Sequence, residues 1–523
     1  MLLRTLIDFC VHRRLAVLTT TLIIAIFGIH AFSETPIEAY PDVTNTQVTV
    51  ITLMSGYAPE EVERQVTIPL EHELNGTPKM IQMRSQSLFG LSLITITFED
   101  DADSFHSRTE VAQRIIAAEL PENVTPTLAP DYTPLGEIYK YVMTSDRHSL
   151  YDMRSEQEWI VSRYLRQVQG VADVLTFGGF YKEIYVELDP VRIEAVDLTL
   201  DEVADTIEKS NRNVGAGFLR HGDQQMIVRG VGNFRSIDDI KKIVLKNKEG
   251  TPVTVGDVAT LVHAYTPRQG SVGQDDKQEV VEGIVLLRRG ENPSKVLDGL
   301  HAKVEDLNNR ILPKGMKIEP FLDRSELVGN TLHTVFENLL HGFGLVVAVV
   351  WLFLRSVRGS LIVATVIPLS LLVAFWGLYH LGLPANLISM GAIDFGIILD
   401  GAVVLIENVI HHASHRKPKT TRDMLHLITD AAVEVARPTF FAMLIIIAAL
   451  IPVFTLQRVE GRIFTPLALT YSFALIGGLV FALFLVPALC AFFIKPKHAL
   501  IEEPRFLVWL TAFYQKRLEF LLK

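Results

Sequence analysis

Six stretches of the chain stay apolar for about 20 residues, near 14–33, 335–354, 361–380, 387–410, 438–455 and 467–494. At 1.5 Å per residue each is long enough to cross a hydrocarbon core of ~30 Å. Between the first and second runs the pattern changes to short alternating segments. "TQVTVITL" reads as a strand, and "APEEVERQVTIPLEHELNG" as a helix with Pro59 in its first turn, acids early and Gly76 as its stop. "IQMRSQSL" and "LSLITITFED" are strands joined through Phe89 and Gly90, and "DSFHSRTEVAQRIIAAEL" is a second helix. The order β-α-β-β-α-β is the split βαβ arrangement.

A second copy of that order starts at "EIYKYVMTS". It continues through the helix "MRSEQEWIVSRYLRQVQG" and the strand "VADVLTFG", and resumes late with "EVVEGIVLLRRG" and the helix "NPSKVLDGLHAKVEDLNNRIL". An insert with its own strands and the helix "TLDEVADTIEKSN" separates its halves. The predicted organisation is a cytoplasmic N-terminus and first span (1–33), a first α+β subdomain (34–135) and a second (136–182 with 276–330). The inserted subdomain covers 183–275, spans two to six cover 331–497, and an amphipathic helix ends the sequence (498–523). The fold class is therefore a six-span α-helical membrane bundle carrying a large α+β region.

Loop charge orients the bundle, because Lys and Arg are retained on the cytoplasmic side. Arg4, Arg13 and Arg14 precede the first span, Arg355 and Arg358 follow the second, Arg416, Lys417, Lys419 and Arg422 follow the fourth, and Lys495 and Lys497 follow the sixth. The opposite loops hold none in "HLGLPAN" and only Arg458 and Arg462 between the fifth and sixth spans. Both ends are predicted inside, with the α+β region outside, which in a Gram-negative cell is the periplasm. The first span resembles a signal peptide at its start, but its apolar run is too long and no small-residue cleavage site closes it, so it reads as a retained anchor.

Composition sharpens this picture. The 523 residues are 49% hydrophobic and carry a formal charge of −10, and the mean hydropathy is +0.28. The acidic balance and the lack of a basic block exclude nucleic acid as a partner. Two cysteines, Cys10 and Cys490, lie far apart in apolar segments and form neither a disulfide framework nor a CxxC site. No phosphate loop or nucleophile motif points to ATP or to an enzyme.

The chemistry concentrates in "DFGIILDGAVVLIEN", Asp394 to Asn408, which places Asp394, Asp400 and Glu407 inside the fourth span. Each residue turns 100° on a helix, so Asp400 and Glu407 fall within about 20° of each other and roughly 10.5 Å apart along the axis, with Asp394 about 120° from Asp400. On an insertion scale three acids cost roughly 7–10 kcal/mol, against ~4–8 gained from the thirteen Leu, Ile, Val and Phe of 387–410. A lipid-facing orientation is marginal at best. The acids are expected to face a bundle interior or a wet pathway, where carboxylates load and release protons or cations. Gly391, Gly396 and Gly401 would let neighbouring helices approach closely. The competing reading has Asp394 and Glu407 simply reaching the membrane interfaces.

These residues resemble a known family. "GYAPEEVERQVTIPLEHELNG", "RPTFFAMLIIIAALIPV" and "LVPALC" are similar to stretches of the resistance-nodulation-division (RND) exporters, and the likeness covers essentially the whole chain. "DFGIILDGAVVLIEN" resembles the fourth-span motif of their heavy-metal efflux branch, in the form associated with divalent cobalt, zinc, cadmium or nickel; the copper and silver form lacks the first aspartate, here Asp394. The resemblance implies a proton-coupled exporter in the inner membrane, a homotrimer working with a periplasmic adaptor and an outer-membrane channel, with no cofactor and a divalent cation as substrate. It further implies that Asp394, Asp400 and Glu407 relay protons, that Glu137 of "PLGEIYKYV" is a metal ligand, and that the insert is a docking subdomain between two porter subdomains. An oxygen ligand suits a hard or borderline divalent ion; the competing reading of Glu137 is an exposed strand-edge acid.

The family chain is twice this length. Its second periplasmic block, last six spans and the lysine that partners the fourth-span acids have no counterpart here, so the expectation is a fragment or one half of a split system, with the remainder in the same or a partner chain, and no transport by this half alone. Two alternatives stay open: an RND exporter of organic compounds, which would want an aromatic cleft, and a membrane-anchored assembly module that does not transport. His411, His412, His415 and His426 form a further cluster that reads as a solvated cytoplasmic loop or as a cytoplasmic metal sensor. Met80, Met83 and Met143 read as packing residues or soft ligands.

Overall fold

The computed structural model describes every residue except Met1, Ala39, Glu249, Arg268, Gln269, 392–394, 495–512, Lys516, Glu519, Phe520, Leu522 and Lys523. Six helices are long and apolar enough to cross a membrane. The first spans Arg14–Glu34, the second Arg324–Leu354 and the third Val357–Leu381. The fourth is described as Leu387–Gly391 and Phe395–Arg416, and the fifth as Thr421–Ala449. The sixth runs from Arg458–Val480 through a single π-helical turn, Phe481–Leu485, into Val486–Phe493.

These helices outrun the apolar stretches that announced them. The second begins at Arg324 because Asp323 caps it, accepting from the Ser325 backbone N–H at 2.9 Å. The fifth begins at Thr421, well before its apolar run, behind a capping box of Thr420 and Asp423. An amphipathic helix, Leu2–His12, also precedes the first span and buries Ile7 and Val11 against the bundle. Most of the expected terminal helix, 498–523, lies outside the described residues.

Close approach in the bundle follows from small residues. A Cβ on Gly401 would lie 2.7 Å from Cγ2 of Thr439, and one on Gly478 would lie 2.8 Å from the Ile398 carbonyl oxygen, so a span-five side chain seats directly on span four and spans four and six meet nearly backbone to backbone. Gly391 has open space beside it and contributes no such contact.

Outside the bundle, β1 (Gln47–Leu53), β2 (Met80–Leu88), β3 (Leu91–Phe98) and β4 (Pro126–Leu128) form an antiparallel sheet in the order β2-β3-β1-β4. Alternation in β1 and β3 turns Val48, Val50, Ile94, Ile96 and Phe98 toward the helices at 59–74 and 104–117. The next sheet repeats this plan. Strands β5 (Glu137–Ser145), β6 (Val171–Gly178), β7 (Val281–Leu287) and β8 (Met316–Asp323) take the order β8-β5-β7-β6, again antiparallel. In both, the first and third strands lie side by side at the centre, as the split βαβ order requires.

The repeat extends to a detail. The first helix of each unit contains one π-helical turn, Glu63–Thr67 in one and Gln157–Val161 in the other, and each turn places a polar side chain against its sheet. Thr67 bonds the Ser92 and Ser87 hydroxyls at 2.7 and 2.9 Å, while Gln157 accepts from the Tyr141 hydroxyl at 3.0 Å. Between β6 and β7 the chain makes an excursion in which Lys182–Leu188 pairs antiparallel with Ala259–Tyr265. A fully exposed hairpin, Val214–His221 with Gln224–Gly230, projects from it.

The α+β region and the bundle are joined at several points. Ile37–Glu38, just past the first span, pairs in parallel with Ala385–Asn386 before the fourth. Lys295 binds Glu34 at 2.5 Å, and Arg462 binds Asp100 at 3.0 Å.

Candidate functional site

The helix Phe395–Arg416 buries Ile398, Gly401, Ala402, Leu405, Ile406, Val409 and Ala413 against its neighbours. That face recurs every three or four residues, so the opposite stripe is left open. Gly396, Asp400, Val404, Glu407, His411 and His415 are the exposed residues along it. Asp400 and Glu407 thus share a face, as helical spacing requires, but it is not the interior of these six spans. The reason is packing: small and branched residues 398–413 fill the contact with spans three, five and six, and the acids are turned away from it. Asp400 and Glu407 have no hydrogen-bond or ion-pair partner among the described residues. Asp394 lies outside the described residues.

The cytoplasmic histidines are not in a loop. His411, His412 and His415 are helical, because the helix continues past its apolar run to Arg416. His411 and His415, four residues apart, pack with ring centroids 4.3 Å apart and planes tilted by 43°, and a ring nitrogen of His415 lies 2.9 Å from the His411 carbonyl oxygen. His412 turns instead toward span five, where its Nε2 lies 2.8 Å from Glu434, and Asn408 donates to the Ala431 carbonyl at 2.9 Å. His426 sits on span five and meets His12 edge to face at 6.4 Å. The four do not converge on one point.

Glu137 opens β5 directly after a short 3₁₀ turn, Pro134–Gly136. Its side chain is 33% exposed and pairs with the Lys140 ammonium at 2.5 Å. Residues three apart in a regular strand point to opposite faces. Here β5 pairs Tyr139 with Val285 and Glu137 with Leu286, so Ile138 is an extra residue, and this bulge turns Glu137 onto the Lys140 side. Glu282, on β7, completes the group: burial pushes its carboxyl above the usual range, an effect that Lys140 opposes and Glu137 reinforces. Among the described residues no three His, Cys, Asp or Glu side chains come together to hold a metal ion. Met143 is buried in the core, and Met80 and Met83 pack against the first sheet's core. Strand periodicity alone does not mark Lys140, and the signal for Glu282 is a lone acid in the apolar strand "VEGIVLL".

Comparison with known proteins places this geometry in a family. Residues 6–523 match the family model of the AcrB/AcrD/AcrF proteins. Protein HelA of Legionella pneumophila and the cobalt-zinc-cadmium resistance protein CzcA of Cupriavidus metallidurans are each 38% identical over 98% of this chain. The cation efflux system protein CusA of Escherichia coli is 36% identical over 93%. The alignments cover 50%, 50% and 48% of those relatives, so the chain spans about half their length. Among solved structures, a heavy metal efflux pump in its crystal form II superposes with a TM-score of 0.87 at 42% identity, over 99% of this chain and 50% of that one. The chain therefore belongs to the AcrB/AcrD/AcrF family of RND transporters, as a multi-pass inner-membrane chain with a periplasmic region, and corresponds to the N-terminal half of the heavy-metal efflux proteins it resembles.

Proposed function

We propose that this chain is the N-terminal half of a proton-driven pump that exports a divalent heavy-metal cation, cobalt, zinc, cadmium or nickel, from a Gram-negative cell. The observation that carries the reading is the exposed stripe of the fourth span, where Asp400 and Glu407 stand on one face without a partner among the described residues. At ~2.5–3.5 kcal/mol for an acid at the helix centre, such a stripe does not face lipid. It faces protein or a wet path, and the remaining length of the relatives, in the same or a partner chain, supplies that surface. Asp394, Asp400 and Glu407 relay the protons. Glu137 is a metal ligand that Lys140 holds in the absence of metal; cation binding displaces the ammonium, and ligands from outside this chain complete the site. The pump is a homotrimer working with a periplasmic adaptor and an outer-membrane channel. What the relatives' names say they handle, cobalt, zinc, cadmium and other cations, supports the substrate class.

The test is metal tolerance. The complete system is expressed in a metal-sensitive strain with and without Asp400→Asn, and growth is scored in zinc, cobalt and nickel. Loss of tolerance in the variant is expected; tolerance that persists unchanged removes Asp400 from the relay.

A further inference from the structure

The joint between the first span and the α+β region contains a buried polar group that the proton pathway of the fourth span does not use. The two-residue strand Ile37–Glu38 pairs Ile37 with Ala385 and Glu38 with Asn386. Ile37 and Ala385 face a small apolar cluster with Val328, Leu378 and Met390. By strand alternation Glu38 and Asn386 take the other side. Asn386 is 1% exposed, and its Oδ1 is fixed as an acceptor by the Ser389 backbone N–H at 2.8 Å. That leaves its Nδ2 a buried donor with no hydrogen-bond partner, in register with a carboxylate on the neighbouring strand. A buried orphan donor is unfavourable and has to be accounted for.

Glu38 also lines a cavity of about 40 Å³, with room for a water or two. The charged groups around it are Asp42, Arg324 at the start of the second span, and Arg288, Arg289 and Glu291 from the loop after β7. Arg289 is already engaged, with Asp131 at 3.7 Å and the Asn45 carbonyl at 3.2 Å. Gly136 and Leu287 line the same cavity, so it abuts the turn that presents Glu137.

We propose that Glu38 is a second proton-binding site of the pump, at the periplasmic end of the membrane domain and separate from the acids of the fourth span. This rests on the proton-driven reading above. The protonated acid sits against Asp42 at no Coulombic cost. When the proton leaves, the carboxylate accepts from the Asn386 amide and draws on Arg324, which offsets part of the cost of its buried charge and rearranges the contact between the segment after span one, the loop before span four and the first turn of span two. The charge state of Glu38 therefore changes the joint that adjoins the turn presenting Glu137. Burial pushes the Glu38 carboxyl up to about 7, with Asp42 adding to the shift and Arg324 opposing it, so both states are populated near neutral pH.

The experiment is a carboxyl-stretch infrared pH titration of the whole chain in lipid nanodiscs, comparing wild type with Glu38→Gln, Asn386→Leu and Asp400→Asn. The expected result is a carboxyl that titrates near neutral pH in wild type and in Asp400→Asn, disappears in Glu38→Gln, and moves to higher pH in Asn386→Leu because the charged form loses a donor. A wild-type spectrum unchanged by Glu38→Gln, or a Glu38 midpoint in the ordinary glutamate range, overturns the proposal. An unmoved midpoint in Asn386→Leu overturns the role of the amide. Where Glu38→Gln fails to fold, Glu38→Asp replaces it, with a displaced midpoint expected and an identical one counting against the assignment. The readout needs no transport, so loss of the Glu38 titration overturns this site whatever Asp400→Asn does to metal tolerance, and the two readings fail separately.

Discussion

Glu137 and Lys140 are three residues apart on one strand and nevertheless form a 2.5 Å ion pair, because Ile138 is an extra residue that turns both side chains to the same face of β5. The pair means that the candidate metal ligand is occupied by an ammonium when no cation is bound. Removing that competitor strengthens cation binding. Lys140→Met is expected to tighten Zn²⁺ or Co²⁺ binding by the complete system two- to fivefold, the equivalent of about 0.4–1 kcal/mol for a partly exposed pair. Isothermal titration measures it, and Glu137→Gln in the same background abolishes the gain.

The strand beside Glu137 is held by a glycine that makes room for an aromatic ring. A Cβ on Gly283 would lie 2.2 Å from Cζ of Tyr141, its partner across the β5–β7 ladder, and the Tyr141 hydroxyl is committed to buried Gln157. Gly283→Ala therefore forces the ring out of place and is expected to cost about 2–4 kcal/mol, as overpacking and a broken buried hydrogen bond together do. Tyr141→Phe, which keeps the volume, costs about 1–3 kcal/mol through the unsatisfied Gln157. Denaturant unfolding followed through the α+β signal orders the two, and a Gly283→Ala/Tyr141→Leu double variant recovers part of the first loss.

Much of this architecture is legible in the sequence because it follows from periodicity. Apolar runs locate the spans, and alternation in 47–53 and 91–98 locates the strands that bury Val50, Ile94 and Ile96. Span limits are less legible, since a helix continues through polar residues wherever caps permit. The T-x-x-D box of Thr420 and Asp423 marks the true start of the fifth span, while the apolar run marks only its lipid-embedded part. The same continuation carries His411 and His415 onto the acid stripe. The Glu137–Lys140 pair depends on a bulge that strand periodicity does not encode. Which way Asp400 faces depends on what packs against the other side of its helix, a property of the assembly and not of the span.

Asp400 is expected to trade stability for function. Replacing an acid on an open membrane face by leucine removes a cost of about 3 kcal/mol on the insertion scale. Asp400→Leu in this chain is thus expected to unfold at higher denaturant in bilayers or bicelles than wild type, while the complete system carrying it loses metal tolerance. A lower unfolding midpoint would mean that the carboxylate is already satisfied within the six spans.

Glu38 gives the joint a pH dependence with a definite sign. Its carboxyl is raised in the folded chain from the ordinary 4.5 to about 7, so the folded state binds the proton more tightly than the unfolded one. The resulting stabilisation is fully present below about pH 4.5 and is lost as pH rises through about 7. With 1.36 kcal/mol per unit and a half-buried group, the swing is up to about 3 kcal/mol. The difference in unfolding free energy between wild type and Glu38→Gln, measured at intervals from pH 4 to 9, is therefore expected to favour wild type most at acid pH and to decline to a plateau above neutrality. Other carboxylates bias the absolute curves the opposite way: Asp152 and Asp257 are held low by hydrogen bonds from Ser149 and Thr254, and their contribution fades as pH falls. Subtracting the Glu38→Gln curve cancels these shared terms, so the sign of the remaining slope belongs to Glu38; a difference that grows with rising pH would mean that the carboxylate, not the acid, is the form the joint prefers.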